Sequence, residues 1–241
     1  MNTKELIKKF REDGFLILKN SINQEDINLT QAYAADFLEC QQSSESIIQS
    51  MEKLESENRK SFYEFCKRMG QINSTFKIAC NENILGIVEG ILKTKTVHLV
   101  DSAAFYNKLS VKRLQYDWHQ ENAYFPNVEN EVMTLWYPWL HAVNEKNGTM
   151  VMAKRGNHLT HNRERIPVKD GLTQMKITEE DLADFEKVSC NIELGDAILF
   201  SVHSPHRTGH NSSGVPRSTI ITRYTDKIGK FHNTWEPVSY Y

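Results

Sequence analysis

The sequence predicts an α+β chain, with a helical first half packed outside a strand-rich second half that folds as a sandwich or small barrel. Three observations carry that expectation. Apolar residues recur at helix-like spacing through most of the first 91 positions. From about residue 95, short runs rich in β-branched and aromatic residues replace them. Turn signals at Lys146-Asn147-Gly148, Gly195-Asp196 and Ser213-Gly214 separate several of those runs. No period repeats and no Gly/Ser/Pro-rich linker divides the chain, so residues 1–241 read as a single domain. All-β barrels commonly occupy roughly 200–250 residues as one unit.

Taken in order, Leu6, Phe10 and Gly14 mark a short helix stopped by glycine, followed by the strand FLILK. Gln24 to Glu39 reads as helix. So does the stretch after Ser46, where Ile47, Ile48, Met51, Leu54, Phe62, Phe65 and Met69 keep helical spacing. Ile84 to Ile91 is a further helix. The strand candidates are TVHLVDSAAFY, MTLWYPWLHAV, TMVMAKRG, AILFSVH and STIITRYTD. Between them, the polar insert from His158 to about Lys187 reads as a surface excursion placed to act as a lid. A helix is expected near Thr178, with Asp181 at capping-box spacing.

Composition narrows the function. Lys plus Arg number 29 against 31 Asp plus Glu, so no charge excess points to nucleic acid or an anionic membrane as the partner. The apolar run FLIL is too short for a signal-peptide core. No stretch approaches the roughly 20 apolar residues of a membrane span. Cys40, Cys66, Cys80 and Cys190 are scattered without a CxxC pair, which suits thiols in a reducing, cytoplasmic setting.

The stretch YDWHQENAYFP carries the chemistry. Tyr116, Trp118, Tyr124 and Phe125 favour an extended chain, and on a strand His119 and Glu121 would point to the same face. Alone, His-x-Glu reads as readily as a hydrogen-bonded pair. A metal site on a β-scaffold needs a third ligand from a distant strand, and His203, His206 and His210 all lie in GDAILFSVHSPHRTGHNSSGVPRSTIITRY. Two imidazoles and one carboxylate on one face, with other positions open, suit a non-heme Fe(II) oxygenase.

These motifs resemble the phytanoyl-CoA dioxygenase family of Fe(II)/2-oxoglutarate-dependent oxygenases. That family carries His-x-Asp, a distant His, and an Arg eleven residues beyond it. Here His119-Gln120-Glu121 matches the first element, His206 the second, and Arg217 stands eleven residues past His206. FREDGFLIL resembles the opening helix-strand, NGTMVMAKRGNH the middle strand pair, and HRTGHNSSGVPR the closing segment. Glu121 in place of Asp is the one departure.

The resemblance implies a double-stranded β-helix (jelly-roll, cupin-like) core with flanking helices. It implies Fe(II) held by His119, Glu121 and His206, with 2-oxoglutarate and O2 as co-substrates. Arg217 would grip the far carboxylate of 2-oxoglutarate, with Arg223 as its competitor. Thr208 would add a hydroxyl, and Trp136 would pack on the co-substrate chain. The expected activity is hydroxylation of a small molecule with release of succinate and CO2, though desaturation or ring formation begins with the same hydrogen abstraction. A catalytically silent β-helix protein that binds a ligand or partner is the alternative.

Overall fold

The computed structural model describes residues 2–107, 116–123, 132–158, 161, 164–167 and 173–227. Helix α1 (Thr3–Asp13) starts at Asn2, whose side chain accepts from the Glu5 amide at 3.0 Å while the Glu5 carboxylate accepts from the Asn2 amide at 2.9 Å. This reciprocal cap satisfies two amides that the first turn leaves unpaired. The helix ends at Gly14, whose φ of 86° turns the chain directly into strand β1 (Phe15–Leu18).

Helices α2 (Gln24–Phe37), α3 (Ser44–Glu57), α4 (Arg59–Met69), α5 (Asn73–Ala79) and α6 (Glu82–Leu92) follow. The run expected as one helical stretch after Ser46 is broken at Asn58. Asn58 closes α3 and caps α4 by accepting from the Ser61 amide at 3.1 Å. The strands β2 (His98–Asn107), β3 (Val132–Pro138), β4 (Met150–Ala153), β5 (Glu164–Pro167), β6 (Thr173–Lys176), β7 (Lys187–Ser189), β8 (Ala197–Ser201), β9 (His206–Thr208) and β10 (Arg217–Thr225) complete the described elements.

Their pairings are antiparallel. One sheet has the order β1-β8-β3-β10-β2, a second has β7-β4-β9, and β5 pairs with β6. Period-two alternation sorts the large sheet into two faces. Leu16, Leu18, Leu135, Tyr137, Leu199, Ile220 and Tyr224 face outward into one core with Phe10, Ile27, Ile47, Phe65 and Ile87 from the helices. Phe15, Trp136, Ile198, Phe200 and Ile221 face inward and pack with Met150 and Met152 of β4. The helices therefore back the large sheet, and the small sheet closes over its inner face. Both faces of β10 are covered, and all nine of its residues are buried.

One expectation fails in the insert. The Thr178 hydroxyl does accept from the Asp181 amide at 3.2 Å, but no helix follows. The chain makes i→i+3 turns there, with Leu182 bonded to Glu179 and Phe185 to Leu182, and enters β7 at Lys187. Only Leu182 and Phe185 could anchor a helix, which is one turn of apolar face. The rest of the insert's described part carries the β5–β6 pair. Residues 159–160, 162–163 and 168–172 lie outside the described residues, as do Tyr124, Phe125 and His232. Among the described residues no helix is long and apolar enough to cross a membrane.

Two glycines test the packing between helices and sheet. A Cβ on Gly70, at the end of α4, would overlap the backbone carbonyl of Ser102 in β2, whereas one on Gly86 in α6 meets nothing within 4 Å. Gly70→Ala should therefore lower stability by about 1–3 kcal/mol. Gly86→Ala should raise it by up to about 1 kcal/mol. Opposite shifts in thermal melts are the expected result.

Candidate metal centre

His119 and His206 are joined backbone to backbone: each amide donates to the other's carbonyl at 3.0 Å. Such a hydrogen-bonded antiparallel pair sends both side chains to one side, and the ring centroids stand 4.2 Å apart. Both residues are buried. His206 begins β9, opposite Met152 of β4, and so faces the interior between the sheets.

Glu121 does not sit on a strand beside His119. It opens a 3₁₀ turn, Glu121–Ala123, held by the Asn122 amide donating to the Val202 carbonyl at 3.0 Å. The expected shared strand face is replaced by a turn, and the two side chains still converge. Glu121 Oε1 lies 3.4 Å from His119 Nε2 and 3.7 Å from His206 Nε2. One ligand atom from each of the three residues lies within 4.8 Å of the others. Atoms bound about 2.1 Å from one ion in adjacent octahedral positions stand about 3 Å apart, so a small inward movement makes a facial set.

The protonation states suit a cation. His119 Nδ1 is 2.7 Å from the Asp117 carbonyl and His206 Nδ1 is 2.9 Å from that of Ser204. A carbonyl can only accept, so each Nδ1 carries a proton and Nε2 is the ring nitrogen left to bind an ion. Burial first, and then neighbouring His119, push His206 down to about 3. Burial works to raise Glu121, but the Arg223 guanidinium outweighs it. With help from both imidazoles, Arg223 holds the carboxyl well below the ordinary carboxylate range. Neutral nitrogens and an ionised oxygen are what a hard divalent ion needs.

Of the competing histidines, His203 turns its Nδ1 to Asn122 Nδ2 at 2.9 Å. Neither it nor His210 joins the cluster among the described residues. The buried residue between His119 and Glu121, Gln120, had no sequence signal. Its amide donates to the His203 carbonyl at 2.6 Å and its oxygen accepts from the His161 amide at 3.3 Å, tying the ligand turn to the His206 loop and the insert.

The two candidate clamps separate clearly. Arg223 is engaged: one arm donates to Asp101 at 2.9 Å and the other to Glu121 Oε2 at 2.8 Å. Arg217, on the same inward face of β10, donates to the Gly148 carbonyl and stands 5.6 Å from the centroid of the Trp136 ring. It is buried, its Nε has no hydrogen-bond partner, and among the described residues it makes no ion pair. Burial draws Arg217 down to about 10, so it stays charged at neutral pH. A buried charge without a counter-ion is expensive unless an anion is to arrive. Thr208 is two residues past His206 on β9, opposite Met150, and thus on the same inward face. Asp101 was missed, although a lone carboxylate inside the apolar run HLVDSAAFY is itself a sign of a buried partner.

Solved structures of the same fold include the epimerase SnoN in complex with Fe3+, alpha ketoglutarate and nogalamycin RO, at TM-score 0.65 and 13% identity, covering 93% of this chain and 83% of that one. EvdO2 from Micromonospora carbonacea var. aurantiaca matches at TM-score 0.65 and 15% identity, over 92% of this chain and 89% of that one. The non-heme monooxygenase ThoJ matches at TM-score 0.65 and 16% identity, over 91% and 76%. No curated protein matches the sequence. The family model for phytanoyl-CoA dioxygenase (PhyH) matches residues 10–219, a span that holds His119, Glu121, His206 and Arg217. With its double-stranded β-helix core and His-x-Glu…His cluster, the chain belongs to the phytanoyl-CoA dioxygenase family of iron- and 2-oxoglutarate-dependent oxygenases.

Proposed function

We propose that the chain, acting as one domain, hydroxylates a small molecule with Fe(II), 2-oxoglutarate and O2, releasing succinate and CO2. The observation that carries this reading is the convergence of two imidazole nitrogens and one carboxylate oxygen within 4.8 Å. His119, Glu121 and His206 hold the iron. Arg217 receives the far carboxylate of 2-oxoglutarate through its planar fork. Trp136 packs along the co-substrate chain, and Thr208 offers it a hydroxyl.

When bound, iron and co-substrate supply the oxidation: one oxygen atom of O2 ends in succinate and the other in the hydroxylated product. The chain contributes position and dryness. Met150, Met152, Ile198, Phe200 and Ile221 pack as an apolar cluster between the sheets, and low-polarity surroundings strengthen charge interactions beside them. The Nδ1 bonds to the Asp117 and Ser204 carbonyls keep both imidazoles in the ligating tautomer. Four free cysteines support a reducing, cytoplasmic setting.

Incubating the Fe(II)-loaded protein with 2-oxoglutarate, air and a panel of small molecules tests the reading. Succinate should form in an iron-dependent way, stimulated by the accepted substrate, whose product gains one oxygen. If iron binds but no compound raises succinate above background, the chain is instead a silent ligand-binding module.

A further inference from the structure

The carboxylate of Glu121 has its two oxygens in different surroundings. Oε1 faces both imidazole nitrogens, at 3.4 and 3.7 Å. Oε2 accepts from Arg223 at 2.8 Å. The other arm of Arg223 is anchored on Asp101 at 2.9 Å, and Asp101 is its direct cross-strand partner. A β-bulge falls between Arg223 and Tyr224, where the β2 register skips a residue. Bulges of this kind re-aim a side chain at the point where they occur. The guanidinium is thus gripped from behind and directed at one oxygen of one ligand.

We propose that Arg223, braced by Asp101, is a positioning residue that keeps Glu121 bound to the metal through a single oxygen, reserving a coordination position for co-substrate. This rests on the oxygenase reading above. Six positions surround an octahedral ion. Three protein atoms, two atoms of a chelating 2-oxo acid and one molecule of dioxygen fill all of them. A glutamate that turned its second oxygen onto the ion would take one of the three that the reactants need. An aspartate has a shorter arm with less freedom to rotate onto the ion; a glutamate carries an extra torsion. The pull of Arg223 on Oε2 opposes that rotation with a charge-assisted bond, among the strongest available to a side chain.

The test separates metal binding from co-substrate binding, using Mn(II) as a probe that does not turn over. Mn(II) and then 2-oxoglutarate are titrated calorimetrically into the wild type, Arg223→Lys and Asp101→Asn. Lysine keeps the charge but loses the two-armed fork, and Asp101→Asn keeps Arg223 but weakens its brace. The expected result is a split. Mn(II) affinity holds within a few-fold, because a second carboxylate oxygen replaces what is lost. Affinity of the Mn(II)-loaded protein for 2-oxoglutarate falls about 10- to 100-fold, the range typical of losing a ligand's outer partner. Unaltered 2-oxoglutarate affinity in both variants would overturn the proposal. So would a parallel fall in both affinities with the melting temperature, which marks a merely structural ion pair. Should Arg223→Lys fail to fold, Asp101→Asn decides alone. Failure of the wild type to bind Mn(II) would instead overturn the oxygenase reading itself.

Discussion

Replacing His206 with alanine should abolish stoichiometric metal binding and, with it, 2-oxoglutarate turnover. The variant keeps its fold for a specific reason. The paired amide and carbonyl bonds that join residues 119 and 206 use backbone atoms only, so they survive the truncation. On the proposed reading, one of three ligands disappears, leaving His119 and Glu121 to hold the ion. Three ligands become two, so Mn(II) affinity should fall by about 100-fold or more. His203→Ala and His210→Ala supply the contrast. Both sit near the loop, neither joins the cluster among the described residues, and both should bind Mn(II) as the wild type does. Titration followed by magnetic resonance of the free ion measures all three.

Arg217→Ala should raise the 2-oxoglutarate requirement sharply while leaving metal binding intact. Truncating one partner of a desolvated, hydrogen-bonded charge pair costs on the order of 2–5 kcal/mol. That corresponds to roughly a 30- to 5,000-fold rise in the dissociation constant. The ligand-free protein gives a second readout. Its Arg217 is buried with an unpartnered Nε, so Arg217→Met, which preserves bulk, should leave the melting temperature of the ligand-free chain unchanged or higher. The added stability that 2-oxoglutarate confers on the wild type should vanish in both variants. Calorimetry and thermal melts with and without co-substrate test the pair. A co-substrate affinity unchanged in Arg217→Ala would move the clamp elsewhere.

The strands that build the interior were legible because each needs β-branched and aromatic residues at period two. Thus β1, β4 and β8 fall within the runs that composition marks, and β2, β3 and β10 overrun theirs by one residue each, at Asn107, Val132 and Arg217. The exceptions have physical causes. Strand β9 is three residues, His206–Thr208, and its pattern carries no local preference; it exists because β4 and the His119 segment pair with it from far along the chain. Helix α5 is seven residues, too short for a 3.6-residue period to show. Asn58 divides a continuous apolar stripe that periodicity alone runs straight through.

At the site, His119 and Glu121 with one later histidine could be read from what a β-scaffold can bring together, and the resemblance to the family singled out His206 and Arg217 among the candidates. The turn that carries Glu121 could not, because His-x-Glu has the same spelling on a strand and on a 3₁₀ turn. Nor could the role of Arg223. Its partnership with Asp101 depends on a strand register and a bulge, both set by pairing across more than a hundred residues.

Diffraction from crystals grown with Mn(II) and 2-oxoglutarate, with the ion located by its anomalous signal, tests the central claim most directly. The account predicts one ion about 2.1 Å from His119 Nε2, His206 Nε2 and Glu121 Oε1, with the far carboxylate of 2-oxoglutarate on the Arg217 guanidinium. An ion bound at His203 or His210, or no ion between residues 119 and 206 at saturating Mn(II), would contradict it.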